Sequence, residues 1–412
     1  MKMSYLINAP MGSLRATISL PSSKSICNRA LILNALAKGE REVENLSDCD
    51  DTNLMIRALH SGGQDFNVGA AGTTMRFLTA FLARRKGEWT ITGTERMRNR
   101  PIKVLVEALN ALGAEVEYME KEGFPPLRIH GKALRGGEIS LPGNVSSQYI
   151  SAILMVAPLM EKGVTLHLEG EIISKPYIHI TLALMEEFGV KATWEDRTIH
   201  VDPQAYRPIG YFVESDWSAA SYWYEMMALA REGEIVLPGL RSNSLQGDAA
   251  GAKLFARLGV RTVFEGDAAI LRKGGEIPQR LEYDFVNEPD LAQTFVVTCA
   301  LMNLPFRFIG LRSLRIKETD RIEALRKELL KLGYVLRVEA NDVLAWDGEL
   351  CEPVAHPVIA TYEDHRMAMA FAPVALVRTE GIEIAHPEVV SKSYPRYWKD
   401  LLSAGFTIGE RE

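Results

Sequence analysis

Cations and hydroxyls crowd the first turns of several apolar segments, an arrangement able to hold phosphate or carboxylate. The stretch SSKSICNRALILNALAKG, residues 22–39, opens with Lys24, Ser25, Asn28 and Arg29, then becomes Ala and Leu and ends on Gly39, placed as a C-terminal cap. Cations there oppose the helix dipole, which favours acids at the N-terminus. Two readings fit. Long basic side chains can reach into water, or free backbone N–H groups, dipole and cations can act together on an anion. More such cations stand in ERMRNRP (Arg96, Arg98, Arg100), RIKETDR (Lys317, Arg321), EDHRMAM (Arg366) and VSKSYP (Lys392). Lys317, Glu318, Asp320 and Arg321 have the spacing of a helical ion-pair network. In a cleft the same Lys and Glu make a proton-transfer pair, because the cation keeps the carboxylate ionised while burial pushes the other way.

The elements that must position these groups repeat along the chain. The opening segment is echoed from Val68, Leu141, Val213, Val286 and Thr361, each time as a short strand, a polar turn, an apolar helix and a β-rich strand. Between the echoes runs a second unit, an amphipathic helix closed by Gly and followed by a strand, as in VEALNALGAEVEY and EALRKELLKLGYVLRV. Six modules result, the first abbreviated. The apolar helices, greasy nearly all round, are the ones expected to be buried. Their first turns form a set. In the first half they read Lys24-Ser25, Gly72-Thr73 and Ser146-Ser147-Gln148; in the second, Asp216, Asp290 and Glu363-Asp364-His365-Arg366. Acids and hydroxyls there also serve as N-caps.

At 412 residues the chain exceeds one compact core. The expectation is an α/β protein of two domains with three βαβαββ-type modules each, an inside-out barrel with helices inside and sheets outside. The boundaries fall at 21–214 for one domain and at 1–20 plus 215–412 for the other. A formal net charge of −6 argues against a nucleic-acid partner. Cys27, Cys49, Cys299 and Cys351 lack CxxC spacing, so reduced thiols are expected rather than zinc or disulfides. No apolar run is long enough for a membrane span or a signal peptide, and the expected location is cytoplasmic. GxxxxGK[ST], GxGxxG after a strand, and HExxH are all missing. In SDCDDTN, Asp50, Asp51 and Asn53 read as turn and N-cap residues rather than metal ligands. No metal or cofactor is called for.

Nine motifs in order, LPSSKSICNRALIL, GTTMRFLTAFLA, RMRNRPI, VSSQYISAILMVAPL, SKPYIHITLALM, QGD, RIKETDRI, YEDHRMAMAF and VSKSYPRYW, strongly resemble the 5-enolpyruvylshikimate-3-phosphate synthases along nearly the whole chain. The resemblance implies transfer of the enolpyruvyl group from phosphoenolpyruvate to the 5-hydroxyl of shikimate 3-phosphate, by a monomer. It assigns Ser25, Arg29, Ser146, Ser147, Gln148, Ser174, Tyr177, Asp290, Ser313 and Lys317 to shikimate 3-phosphate. Gly72, Arg100, Gln148, Arg321, Arg366 and Lys392 go to phosphoenolpyruvate, with Lys24 serving both. Asp290 is the candidate base for the hydroxyl and Glu318 the candidate donor to the methylene carbon, with Lys24 beside them as a catalytic cation. Because these residues come from both halves, closure about crossings near residues 20 and 215 is expected.

Three positions depart from the family pattern. Ala70 stands where many members have Asn, and Ser313 where an Asn is frequent; Phe77 also replaces a frequent Pro. A sister family that uses UDP-N-acetylglucosamine as acceptor carries a Cys where this chain has Glu95, and an Asn where it has Ser25. A non-catalytic sugar-phosphate sensor would have no need for Lys24, Asp290 and Glu318 together.

Overall fold

The computed structural model describes residues 3–38 and 41–411. Gly39, read above as a helix cap, lies outside the described residues. The helix it was to close, Lys24–Leu36, is followed by a cap at Ala37. The chain divides into two compact units, residues 22–213 and residues 1–21 with 214–412.

Each unit is α/β and is built from repeated strand–helix–strand crossovers. In the 22–213 unit, Asp65–Asn67 and Gly87–Thr92 pair in parallel around the helix Gly72–Arg84, and Gly137–Pro142 and Val164–Glu169 do so around Ser147–Val156. The short strands Val43–Glu44 and Tyr211–Phe212 form a further parallel pair. In the other unit the crossovers are Leu281–Asp284 to Phe306–Ile309 through Ala292–Leu301, and Val358–Ile359 to Ile382–Ala385 through His365–Phe371. Leu14–Thr17 pairs in parallel with Gly233–Pro238, which the helix Trp217–Leu229 precedes.

Among the described residues these crossovers lie in five four-stranded sheets. In four of them the strands run first, second, fourth, third. In the fifth the N-terminal strand Ser4–Asn8 takes the third place, between Ile382–Ala385 and Thr407–Arg411.

The crossover helices are the apolar ones, and they are buried. Every residue of Ala292–Leu301 and of His365–Phe371 is buried, the polar Gln293 and Arg366 included. One core gathers the 22–213 helices and another those of the second unit. The amphipathic helices show one face only, as in Lys103–Ala111, which buries Leu105, Val106, Ala108 and Leu109. Their closing glycines, Gly113, Gly189, Gly259, Gly333 and Gly405, all take φ between +75° and +101°, which a side chain would strain. Because each buried helix starts where a parallel strand ends, the helix N-termini and their polar first turns gather at the carboxyl ends of the parallel strands.

Candidate active site

In the 22–213 unit the buried Arg29 is held by neutral groups. Arg29 is 2% exposed, and its guanidinium donates to Thr181 Oγ1 (2.7 Å), Ser151 Oγ (3.1 Å) and the carbonyls of Ser25 (2.8 Å) and Tyr177 (3.2 Å). It also lies 5.2 Å from the centre of the Phe77 ring, so the residue that replaces a frequent Pro serves as its floor. Burial pushes the Arg29 pKa down to about 10, which still leaves it charged at neutral pH. These bonds tie the first turns of Lys24–Leu36, Ser147–Val156 and Lys175–Glu187 into one cluster. Gln148 adds the Gly72 helix through Thr73 Oγ1 (3.1 Å). Ser146 caps its own helix by accepting from the Gln148 amide, and Ser147 is buried beside it. Ser174, with φ of 55°, precedes Lys175–Glu187 in the left-handed region, and the Tyr177 amide donates to its carbonyl.

Arg100 packs over Gly72. A Cβ built on that glycine would stand 2.8 Å from one Arg100 nitrogen and 2.9 Å from Arg76 Nη1, so a side chain there would push both guanidiniums out of place. The three arginines of ERMRNRP separate. Arg100 is buried, whereas Arg96 is exposed and Arg98 pairs with the exposed Glu120. Lys24 meets Asp51 at 3.3 Å, with side-chain exposures of 16% and 4%. That corrects the reading of Asp51 as a turn or capping residue. Cys49 occupies the N-cap position, and the Asp51 side chain points to Lys24 instead.

In the other unit the cations are held by carboxylates. Asp290 Oδ1 meets Arg321 at 3.1 Å and Lys317 at 3.7 Å, and its Oδ2 meets Arg366 at 2.8 Å. Glu318 sits between Arg321 (3.0 Å) and Lys392 (3.1 Å). Arg321, 1% exposed, also donates to Asp364 at 2.7 Å. Asp364 caps His365–Phe371 through the Arg366 amide (2.9 Å). Burial lowers Lys317 from the ordinary lysine range, opposed by Asp290. Burial pushes Tyr222 up to about 12 against the pull of Arg366, to which its hydroxyl lies within 3.3 Å.

Lys317, Glu318, Arg321, Arg366, Lys392 and Asp290 therefore stand together, and Ser313 is half-buried on the turn Arg312–Ile316 just before them. Two expectations about caps resolve differently. Asp216 is an N-cap, accepting from the Ala219 amide at 2.8 Å. Asp290 is not; Leu291 occupies that position and the Asp290 carboxylate is given over to cations.

The model of the EPSP synthase (3-phosphoshikimate 1-carboxyvinyltransferase) family matches residues 9–66 and 61–401 of this chain. The chain belongs to the EPSP synthase family. A 3-phosphoshikimate 1-carboxyvinyltransferase of Bacteroides fragilis strain YCH46 is 59% identical over 407 residues, covering 98% of this chain and 99% of that protein. One from Vibrio atlanticus is 38% identical, covering 97% and 99%. The EPSP synthase structure from Acinetobacter baumannii superposes over the full length of both chains with a TM-score of 0.77 at 20% identity, a likeness of fold.

Within this EPSP synthase framework, several groups not named above as site residues take up places around the two clusters. Arg76 reads from sequence as a mid-helix residue. In the structure it is 4% exposed and donates to the carbonyls of Gly72 (3.0 Å) and Pro101 (3.3 Å), bracing the Arg100 turn. The QGD motif braces the start of Trp217–Leu229. Gln246 Oε1 accepts from the Trp217 amide, and its Nε2 donates to Glu214 and to the Ser215 carbonyl. Asp248, 4% exposed, accepts from Ser218, and burial together with nearby Asp290 pushes its pKa up to about 7. Spacing carried no signal for Arg76. For Asp248 the QGD triplet itself was the signal.

Proposed function

We propose that this protein transfers the enolpyruvyl group of phosphoenolpyruvate to the 5-hydroxyl of shikimate 3-phosphate, releasing phosphate. The observation that carries this is the largely buried grid in which Asp290 is shared by Arg321, Arg366 and Lys317 while Glu318 is shared by Arg321 and Lys392. A site made only to hold anions gains nothing from two carboxylates among its cations. A site that must move two protons beside two anions needs both kinds of group.

In the reaction the 5-hydroxyl oxygen bonds to the central carbon of phosphoenolpyruvate, and its proton passes to Asp290. Glu318 delivers a proton to the methylene carbon, which becomes a methyl group in a tetrahedral adduct. The adduct's bond to the phosphate oxygen then breaks, phosphate leaves with the electron pair and takes up the proton that Asp290 had accepted, and the methyl group returns its proton to Glu318. Arg321 and Lys392 favour the ionised form of Glu318. The phosphate and carboxylate of phosphoenolpyruvate compete for those cations, so the substrate itself raises the basicity of the carboxyl that must carry the proton.

Gly72, Arg100, Gln148, Arg321, Arg366 and Lys392 are the groups assigned to phosphoenolpyruvate. Ser25, Arg29, Ser146, Ser147, Gln148, Ser174, Tyr177, Ser313, Lys317 and Asp290 hold shikimate 3-phosphate, with Lys24 serving both substrates and the chemistry. Arg29 supports its neighbours from beneath as much as it binds. The same reading takes the chain as a cytoplasmic monomer without metal or cofactor, with six βαβαββ modules, three in 21–214 and three in 1–20 plus 215–412, helices within and sheets without. The shared strand order of four sheets supports the modular part.

Phosphate release measured with both substrates, then with each omitted, tests the activity. Release that needs both supports it, and no release above background with both present overturns it.

A further inference from the structure

Two consecutive residues without glycine's freedom, Tyr362 and Glu363, take φ of +53° and +57° immediately before Asp364. A side chain in the left-handed region is strained, and two in succession persist only where the surroundings enforce them. The enforcing group is Glu328, whose carboxylate is completely buried. Its Oε1 accepts from the Tyr362 hydroxyl (2.6 Å), and its Oε2 accepts from the Ala360 amide (3.0 Å) and Lys331 Nζ (2.6 Å). Lys331 in turn donates to the Val358 carbonyl (2.9 Å), and the Asp364 amide donates to the Thr361 carbonyl (2.8 Å). Residues 358–364 are thus fastened at both ends and in the middle.

The arginine machinery comes directly after this turn. Asp364 holds Arg321 and caps the helix that carries Arg366. Glu328 lies seven residues, two helical turns, after Arg321 on the helix Arg321–Lys331, and so on the same face. One helix face therefore presents Arg321 to the site and Glu328 to the turn that aims its partners. We propose that Glu328, acting through Tyr362 and the Ala360 amide, is a positioning residue for the arginines Arg321 and Arg366, fixing the left-handed turn that sets Asp364 and Arg366 in place. The inference rests on the assignment of these two arginines to phosphoenolpyruvate.

Its consequence is selective. Loosening the turn degrades the grip on phosphoenolpyruvate and leaves the shikimate 3-phosphate groups carried by residues 24–177 untouched. Glu328→Gln keeps the shape but cannot accept three donors as well, and should raise KM for phosphoenolpyruvate about tenfold, with a severalfold smaller change for shikimate 3-phosphate passed on through Asp290. Tyr362→Phe, a milder change that keeps the ring, should move the same constant about threefold, and the double variant should be no worse than Glu328→Gln alone because both act through one contact. Glu363→Gly in the Glu328→Gln background relieves half of the left-handed strain and should recover part of the loss.

Hydrogen exchange of the peptide 360–367 gives a readout that does not depend on turnover, and it should quicken in Glu328→Gln. Should Glu328→Gln fail to fold, Tyr362→Phe carries the test. Equal rises in both KM values, or unchanged phosphoenolpyruvate KM with only a lower melting temperature, would overturn the positioning role. Wild-type protein that releases no phosphate while exchange in 360–367 still responds to Glu328→Gln would overturn the proposed activity and leave the hold on the turn standing.

Discussion

The two units solve one problem, keeping arginines buried, in opposite ways. In 22–213, Arg29 is braced by hydroxyls, carbonyls and the Phe77 ring, and Arg76 donates to carbonyls and lies over the Tyr149 ring. In the other unit Arg321 and Arg366 are braced by Asp290, Glu318 and Asp364, so charge is nearly balanced and each carboxylate is electrically tied to its neighbours. The first arrangement suits a permanent anion, such as a phosphate monoester, that must be held and not altered. The second suits a reacting centre, where a proton shift on one carboxyl is felt by several cations and the field can change as bonds do.

The sharpest way to break this contrast is to remove the shared carboxylate. Asp290→Ala takes from Arg321, Arg366 and Lys317 their common partner and removes the candidate base. Single-turnover phosphate release should fall by about 10³-fold, in the range for loss of a positioned general base, while shikimate 3-phosphate still binds within severalfold. Glu318→Gln should likewise lose turnover more than binding. If both variants lose binding and turnover in equal measure, the carboxylates are only struts and the contrast collapses.

Next in size is a stability comparison between the two kinds of brace. Arg321→Met strands Asp364, Glu318 and Asp290, one of them fully buried, and should destabilise by about 3–5 kcal/mol. Arg29→Met strands only hydroxyls and carbonyls, which can re-pair or take water, and should cost about 1–3 kcal/mol. Urea unfolding of the two variants decides it. Equal losses would mean that the nature of the brace does not matter.

The two braces also differed in how far they could be seen in the sequence. The modular fold was visible because apolar helices and closing glycines recur, and those glycines do take left-handed φ. Lys24, Arg321 and Arg366 stood out because a cation at a helix start conflicts with the dipole. Arg76 did not, since mid-helix arginines are ordinary and only the fold brings the Pro101 carbonyl to it. Glu328 in RKELLK carries no signal of its own in an amphipathic helix, and residues 358–364 cover it. Asp290 was grouped with the helix caps because sequence shows that an acid precedes a helix but not whether the helix begins one residue later. Residues whose role depends on local rules were legible; those whose partner is distant in sequence were not.

Asp248 tests whether charge coupling in the second unit reaches beyond the arginine grid. Its carboxyl faces Asp290, Arg366, Asp216 and the Ser218 hydroxyl, and its pKa is raised from 3.8 to about 7, by burial first and Asp290 next. The folded state therefore binds this proton more tightly than the unfolded chain. The stabilisation is fully present below about pH 4 and is lost as the pH rises through about 7. Relative to Asp248→Asn, the wild type should lose stability across that window, by at most about 4 kcal/mol and less where Arg366 relaxes toward the new charge. Parallel unfolding curves for the two proteins at pH 5 and pH 8 would show that Asp248 stays ionised throughout.

The smallest effect tests the exception to the contrast. Asp51 is the acid found against a site cation in the 22–213 unit, 4% exposed and 3.3 Å from Lys24. If it serves the site as the second unit's carboxylates do, it fixes the Lys24 ammonium, and Asp51→Asn should lower kcat/KM about tenfold with a modest change in melting temperature. If it serves only the dipole of Asp50–His60, the same variant should lose about 0.5–1 kcal/mol of stability and little activity. The position favours the first outcome. A first-turn acid acting on the dipole works from an exposed place, whereas Asp51 is buried against the one lysine of the site-forming helix start, with Thr74 donating to its carbonyl at 3.0 Å to hold that backbone in place. Lys24 would then be the point at which the neutral-braced unit borrows the other unit's method, and the residue there whose charge must be aimed as well as present.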